Sequence, residues 1–349
     1  MPASNTIIEG AYLQDILDQP RAIRDTVTVL AKSEKLNDFI GNLLPSSYEQ
    51  IVFTGMGGSY QVLYPLYLTL VELGYPARMA ETSELLRFMP SLLTSRTLLI
   101  VASQSGRSGE ILRLLKHGAD RPTILAITND ASAPLAKEAD VIALIQAGPE
   151  ASGACKTATA TLAALTWIGG ALSKRAVSAT DNLIQQAAQA VEQYLAHWRD
   201  HVALLVPELD GIRHLFITGR GTSLPAAGIG GMLMKETAHF QAEGMGSAAF
   251  RHGPFEMLNK ECFVLVFAGD AVVESLNRSL VNDVRRTGAK AELIASDADI
   301  RAFRLPEVER EVRPIVEMLP LQMVSLALAA LTGREAGKFE RIEKVTTEE

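Results

Sequence analysis

Ile51-Val52-Phe53-Thr54-Gly55-Met56-Gly57-Gly58-Ser59 is an apolar run that gives way to a glycine-rich turn, and Phe216-Ile217-Thr218-Gly219-Arg220-Gly221-Thr222-Ser223 repeats the pattern 164 residues later. Short apolar, β-branched runs closed by glycine are the mark of parallel strands buried on both faces. One such match would carry little weight. Two more stand in similar register, 98–102 against 263–267 and 124–127 against 292–295, so the chain reads as a duplicated α/β domain. Between strands, Ile111, Leu112, Leu114 and Leu115 make the apolar face of a helix expected to stop at Gly118. Alternating strands and helices predict an open doubly wound α/β sheet of parallel strands for each copy, with ligands at the strands' carboxyl ends.

Outward from this core, Tyr12, Ile16, Ile23, Val27 and Leu30 stand at helical spacing, with Pro20 between two candidate helices. An Ala-, Gln- and Leu-rich stretch over 180–212 joins the copies, and an apolar helix over 319–331 precedes a charged tail. The expected organisation is a helical leader (1–45), a first copy (46–195), a second copy (196–335) and a tail (336–349). With 349 residues, 48% of them hydrophobic, the chain can bury two cores. Its 33 basic and 40 acidic residues give a net charge of −7, the wrong sign for a phosphate-backbone binder, so nucleic acid is not an expected partner. Two cysteines are too few for a disulfide framework or a cysteine zinc site, which points to a reducing, cytoplasmic setting. The first residues lack a secretory pattern and no apolar stretch approaches 18 residues, so neither export nor membrane insertion is expected.

The sharpest chemical signal is Ser103-Gln104-Ser105-Gly106-Arg107-Ser108-Gly109, where a strand gives way to a helix. Hydroxyls, an amide and backbone N–H groups at such a junction suit a phosphate, although a Ser/Gly turn that caps the helix would read the same way. Ser59 adds a donor at the neighbouring strand end. Nucleotide fingerprints fail: Tyr60 stands where a dinucleotide loop needs its third glycine, and neither glycine loop ends in Gly-Lys-Ser/Thr. Glu81 keeps a ribose contact open, but an acid there is common in any case. In the second copy, Ile229, Met232, Leu233 and Glu236 share one helical face, so the carboxylate either shuttles a proton or is paired or turned outward. His252, before a Gly-Pro turn, can exchange protons near neutral pH. His197 and His201 lack a Glu between them and a third ligand, so they read as a solvated face rather than a metal site; Lys156 and Lys344 lie near candidate sites, although most lysines are surface charges.

Together these segments resemble the double sugar-isomerase (SIS) domain family, which includes the isomerase half of glucosamine-6-phosphate synthase and stand-alone glucosamine-6-phosphate deaminases. The likeness runs through Ile16 to Pro20, Gly57-Gly58-Ser59, Ser103-Gln104-Ser105-Gly106, Ala147-Gly148-Pro149-Glu150, Lys235-Glu236, Ala242-Glu243, His252-Gly253-Pro254 and Glu343-Lys344-Val345-Thr346. It implies two tandem SIS domains, each a doubly wound five-stranded parallel sheet flanked by helices, and a hexose 6-phosphate or amino-sugar 6-phosphate held through Gly57, Gly58, Ser59, Ser103, Gln104, Ser105, Ser108 and Glu150. It also implies that Glu236 moves a proton between C1 and C2, that His252 of a facing subunit assists ring opening, and that Lys344 approaches the sugar carbonyl. A homodimer with a shared active site follows. Enolisation next to a carbonyl needs no metal or organic cofactor, only a placed base and oxyanion stabilisation. The expected reaction is aldose–ketose isomerisation with deamination of glucosamine 6-phosphate to fructose 6-phosphate and ammonia, without a glutaminase domain. Leu233 replaces a family lysine and Ile229 an acid one turn earlier, which keeps plain isomerisation, deglycation of a sugar-phosphate amine adduct, and a non-catalytic sugar-phosphate sensor as alternatives.

Overall fold

A computed structural model of the chain describes residues 8–116, 120–341 and 344–345. It contains two compact units, each discontinuous in sequence. The first-copy unit comprises Arg21–Pro149, Lys156–Gln185 and Arg341–Glu349, and the second-copy unit Met1–Pro20, Glu150–Cys155 and Gln186–Glu340.

In the first-copy unit, β1 (Gln50–Thr54), β2 (Ala77–Met79), β3 (Thr97–Ala102), β4 (Thr123–Thr128) and β5 (Val141–Leu144) form one parallel sheet in the order β2-β1-β3-β4-β5. Every residue of β3 is buried, which explains its unbroken apolar sequence. Val52, Leu99, Val101, Ile124 and Ala126 pack on Leu85, Ile111 and Leu114 of the covering helices. Each such side chain contributes roughly 1.5–3 kcal/mol by leaving water. Strand order reverses between β1 and β3, so the crevice of a doubly wound sheet opens at the Gly55–Ser59 and Ser103–Ser108 connections. The helix after β3 is short, Gly109–Leu114, and the stop anticipated at Gly118 lies outside the described residues.

In the second-copy unit, β6 (His214–Gly219), β7 (Ala242–Gly246), β8 (Cys262–Phe267) and β9 (Lys290–Ile294) form a parallel sheet in the order β7-β6-β8-β9. Among the described residues this sheet has four strands and lacks the expected fifth. Past β9, only an isolated bridge pairs Ala295 with Arg304, and the Leu305 N–H donates to the Ala295 carbonyl. Pro306 follows with no N–H to continue the ladder, so pairing ends there.

The helix Arg313–Thr332 starts earlier than the apolar pattern suggested and buries nearly its whole length. Contrary to the expectation from apolar run length, Arg310–Thr332 is long and apolar enough to cross a membrane, but 83% of its most apolar window is buried inside the protein. It carries buried Glu317, Gln322 and Ser325, each satisfied at least once: Ser223 donates to Glu317, Gln322 exchanges amide hydrogen bonds with Gln19, and Ser325 pairs with Tyr12. Beside it, the helix Leu224–Ala238 lies directly on β7, because a Cβ at Gly244 would sit 1.8 Å from the Ala227 carbonyl oxygen. That close approach fixes where Glu236 stands.

Candidate active site

In the first-copy unit, both connections at the crevice are built from tight backbone turns. Gly106 has φ +60°, and a Cβ there would meet Ala133 Cβ at 2.8 Å, so only glycine keeps the loop against the neighbouring connection. The Gly106 N–H donates to Ser103 Oγ at 3.1 Å and the Arg107 N–H to Ser105 Oγ at 3.2 Å. Both hydroxyls therefore act as acceptors toward the loop and keep their O–H hydrogens for another acceptor. Ser108 precedes the helix but makes no capping bond, so capping does not explain it. Ser59, Gln104 and Ser108 carry no side-chain hydrogen bond among the described residues. Since the helix has only about one and a half turns, these loop donors rather than a macrodipole make the anion-binding capacity. Arg107 turns outward to Asp130 Oδ2 at 2.8 Å and Ser132 Oγ at 3.1 Å. The Ser132 hydroxyl and Arg107 hold the Asp130 carboxyl down at about 2. Lys344 is half-buried and belongs to this unit by its contacts, while its motif neighbours Glu343 and Thr346 lie outside the described residues.

In the second-copy unit, Glu236 is half-buried on the helix Leu224–Ala238, with Ile229 and Leu233 buried along the same face. A Cβ at Gly153 would stand 3.0 Å from Glu236 Oε2 and 3.5 Å from Leu233 Cδ1. The carboxylate thus lies against the Glu150–Cys155 segment, and the position where the family resemblance expects a lysine is filled by an apolar side chain beside it. That segment is held by acids. Asp15 Oδ2 accepts the Ala151 N–H at 2.7 Å, and Glu150 Oε1 accepts the Cys155 N–H at 3.1 Å. Glu150 is buried and engaged in holding its own loop. Tyr12 stands near this segment; burial, with Cys155 next, pushes its hydroxyl well above the usual phenol range, so it stays protonated. The sequence places Tyr12 only on a helical apolar face and gives Asp15 no role, since both act through partners more than a hundred residues away.

His252 is exposed after the short helix Ser247–Phe250, with its N–H donating to the Ala249 carbonyl and Gly253 at φ +130° behind it. Lys156 is buried, unlike most lysines. His201 is buried and stacked on Tyr194 at 4.2 Å rather than solvated, and burial pushes its imidazole down to about 4, so it is neutral. No cluster of metal-ligating residues occurs among the described residues.

Two parallel α/β sheets, the first ending adjacent strands in hydroxyl and amide groups without side-chain partners at its switch point, define a duplicated doubly wound protein. The SIS domain model matches residues 46–168 and 208–332, and the chain belongs to that family. The isomerizing glutamine–fructose-6-phosphate aminotransferase of Pyrococcus horikoshii is 29% identical over 355 residues, covering 98% of this chain and 58% of its own length. That of Thermus thermophilus is 28% identical over 355 residues, with 97% and 58% covered. The chain spans about 58% of the length of these curated relatives. Among solved structures, the C-terminal domain of glucosamine-fructose-6-phosphate aminotransferase from Francisella tularensis superposes with a TM-score of 0.81 at 20% identity, covering 96% of this chain and 100% of that one. Glucosamine-6-phosphate deaminase from Thermotoga maritima gives 0.76 at 17% identity, with 97% and 100% covered. These two likenesses are likenesses of fold.

Proposed function

We propose that the chain is a phosphosugar aldose–ketose isomerase that deaminates glucosamine 6-phosphate to fructose 6-phosphate and ammonia, consuming one water. The observation that carries this reading is the Glu236 carboxylate, half-buried and set against the Gly153 segment on a rigid helix. The unengaged donors of the Ser103–Ser108 loop and Ser59 support the phosphate end. In the proposed reaction His252, supplied by a second copy in a homodimer, assists ring opening. Glu236 takes the C2 proton of the open aldose and delivers it to C1, which leaves an imine at C2. Water adds to that imine and ammonia departs, giving the ketose. Lys344 approaches the carbonyl oxygen, where positive charge stabilises the developing oxyanion. Gly57, Gly58 and Glu150 line the sugar's binding loops. The two cysteines, free and buried, suit the cytoplasm to which we assign it.

Leu233 favours a second reading. An aliphatic side chain against Gly153, beside the general base, offers nothing to hold or activate an amine. Plain isomerisation of a hexose 6-phosphate, or deglycation of an amine adduct, then replaces deamination while Glu236 keeps its role. The test is equimolar release of fructose 6-phosphate and ammonia from glucosamine 6-phosphate by the purified, folded protein. Release establishes the deaminating reaction; isomerisation of a hexose 6-phosphate without ammonia shifts the assignment to the second reading; neither product overturns both.

A further inference from the structure

At the carboxyl end of β8 and β9 a cavity of about 400 Å³ opens among Ala268, Gly269, Ser296, Asp297, Arg313 and Glu317. Metabolite sites fall in this size range, and in a doubly wound sheet this is the edge where ligands bind. The cavity lies wholly within the second-copy unit, separate from Glu236 and from the serine loop.

Its wall holds one strongly unsettled group. Glu317 has no exposed surface; Ser223 donates to its Oε1 at 2.7 Å, while its Oε2 has no hydrogen-bond partner. An unpartnered buried carboxyl oxygen costs roughly 1–3 kcal/mol, so a donor at that point would be strongly favoured. The arginines of the wall are not that donor. Arg313 gives its Nη1 hydrogens to the Gly269 carbonyl and Asp270, and Arg278 is taken by Glu274 and Asp297. Exposed Glu307, also in the wall, has no ion pair among the described residues. Charge is therefore left over on the acidic side.

We propose that this cavity is a second ligand site, for a small hydroxylated amine whose ammonium group pairs with Glu317 Oε2. The hydroxyls of such a ligand find acceptors in the Asp297 and Glu307 carboxylates and a partner in Ser296. Burial pushes the Glu317 carboxyl up to about 7, with Arg313 and Asp270 the charged groups facing it, so seating an ammonium ion displaces a proton near neutrality.

Calorimetric titration with glucosamine, which carries the amine but no phosphate, tests the site. The account expects binding to the wild type with proton release, read from heats in two buffers of different ionisation enthalpy. Glucose should bind at least tenfold more weakly, and Glu317→Gln should weaken glucosamine at least tenfold. Ser296→Phe, at an exposed wall position, should block binding with the fold intact, and it serves as the test should Glu317→Gln fail to fold. Ser105→Ala with Ser108→Ala should leave binding unchanged. No binding, equal binding of glucose and glucosamine, unchanged binding in Ser296→Phe or a folded Glu317→Gln, or loss in the serine pair would each overturn the proposal. Because the serine pair belongs to the first-copy loop, failure here is distinguishable from failure of the isomerase assignment.

Discussion

The carboxyl edges of the two sheets share one topology and treat it in opposite ways. In the first copy, Ser59 has no side-chain partner, and Gln104 and Ser108 of the Ser103–Ser108 loop have none either. In the second, the matching serine, Ser223, is fully buried and donates to Glu317. Where the first copy presents serines before its helix, the second places Asp270, held by Arg310 and Arg313. The second copy thus sets a carboxylate where the first sets serines. The first edge leaves Ser59, Gln104 and Ser108 without side-chain partners, and the proposed function assigns the phosphate to that edge.

The largest effect expected within that comparison comes from the donors themselves. Ser105→Ala with Ser108→Ala should weaken sugar-phosphate binding by roughly 1–3 kcal/mol in total, seen in the KM or Kd for fructose 6-phosphate. Asp270→Asn, at the matching place in the second copy, should leave that affinity within about twofold and instead lower stability by roughly 1 kcal/mol in thermal unfolding. A reversed pattern would mean that the crevices have been assigned the wrong way round.

A smaller effect is expected from two buried groups of the second-copy unit, with opposite signs. Glu317, at about 7 when folded against an ordinary 4.5, binds more protons folded than unfolded between those values, so its contribution falls as pH rises through that window. His201, lowered to about 4 from 6.5, is neutral when folded and charged when unfolded, so its contribution falls as pH drops through its own window. Relative to the wild type, Glu317→Gln should gain about 1–2 kcal/mol between pH 5 and pH 8, and His201→Phe should gain about 1 kcal/mol between pH 7 and pH 5. Unfolding curves at these pH values check both signs.

Much of this was legible in the amino-acid order. β3, β4 and β8 read as strands because both faces are buried and nothing polar interrupts them. The serine loop and Glu236 stood out because local residue types and helical spacing carry their chemistry. β7 did not, since Ala242-Glu243-Gly244-Met245-Gly246 has a strand's pairing without a strand's composition; its glycines serve the helix lying on it. The missing fifth strand of the second sheet was signalled only by Pro306. Asp15 and the burial of Lys156 and His201 left no local trace, because distant packing sets their environment.

The most direct test of the central claim is deuterium exchange at C1 of fructose 6-phosphate in D2O, followed by NMR, for the wild type, Glu236→Gln and Glu72→Gln. Glu72 is the exposed residue at the first copy's matching position, 164 residues earlier, and serves as the control. Steady exchange is expected from the wild type and from Glu72→Gln, and exchange slower by about 10²–10⁴-fold from Glu236→Gln with sugar-phosphate binding retained. Exchange by Glu236→Gln at the wild-type rate, or none by a folded wild type, would contradict it.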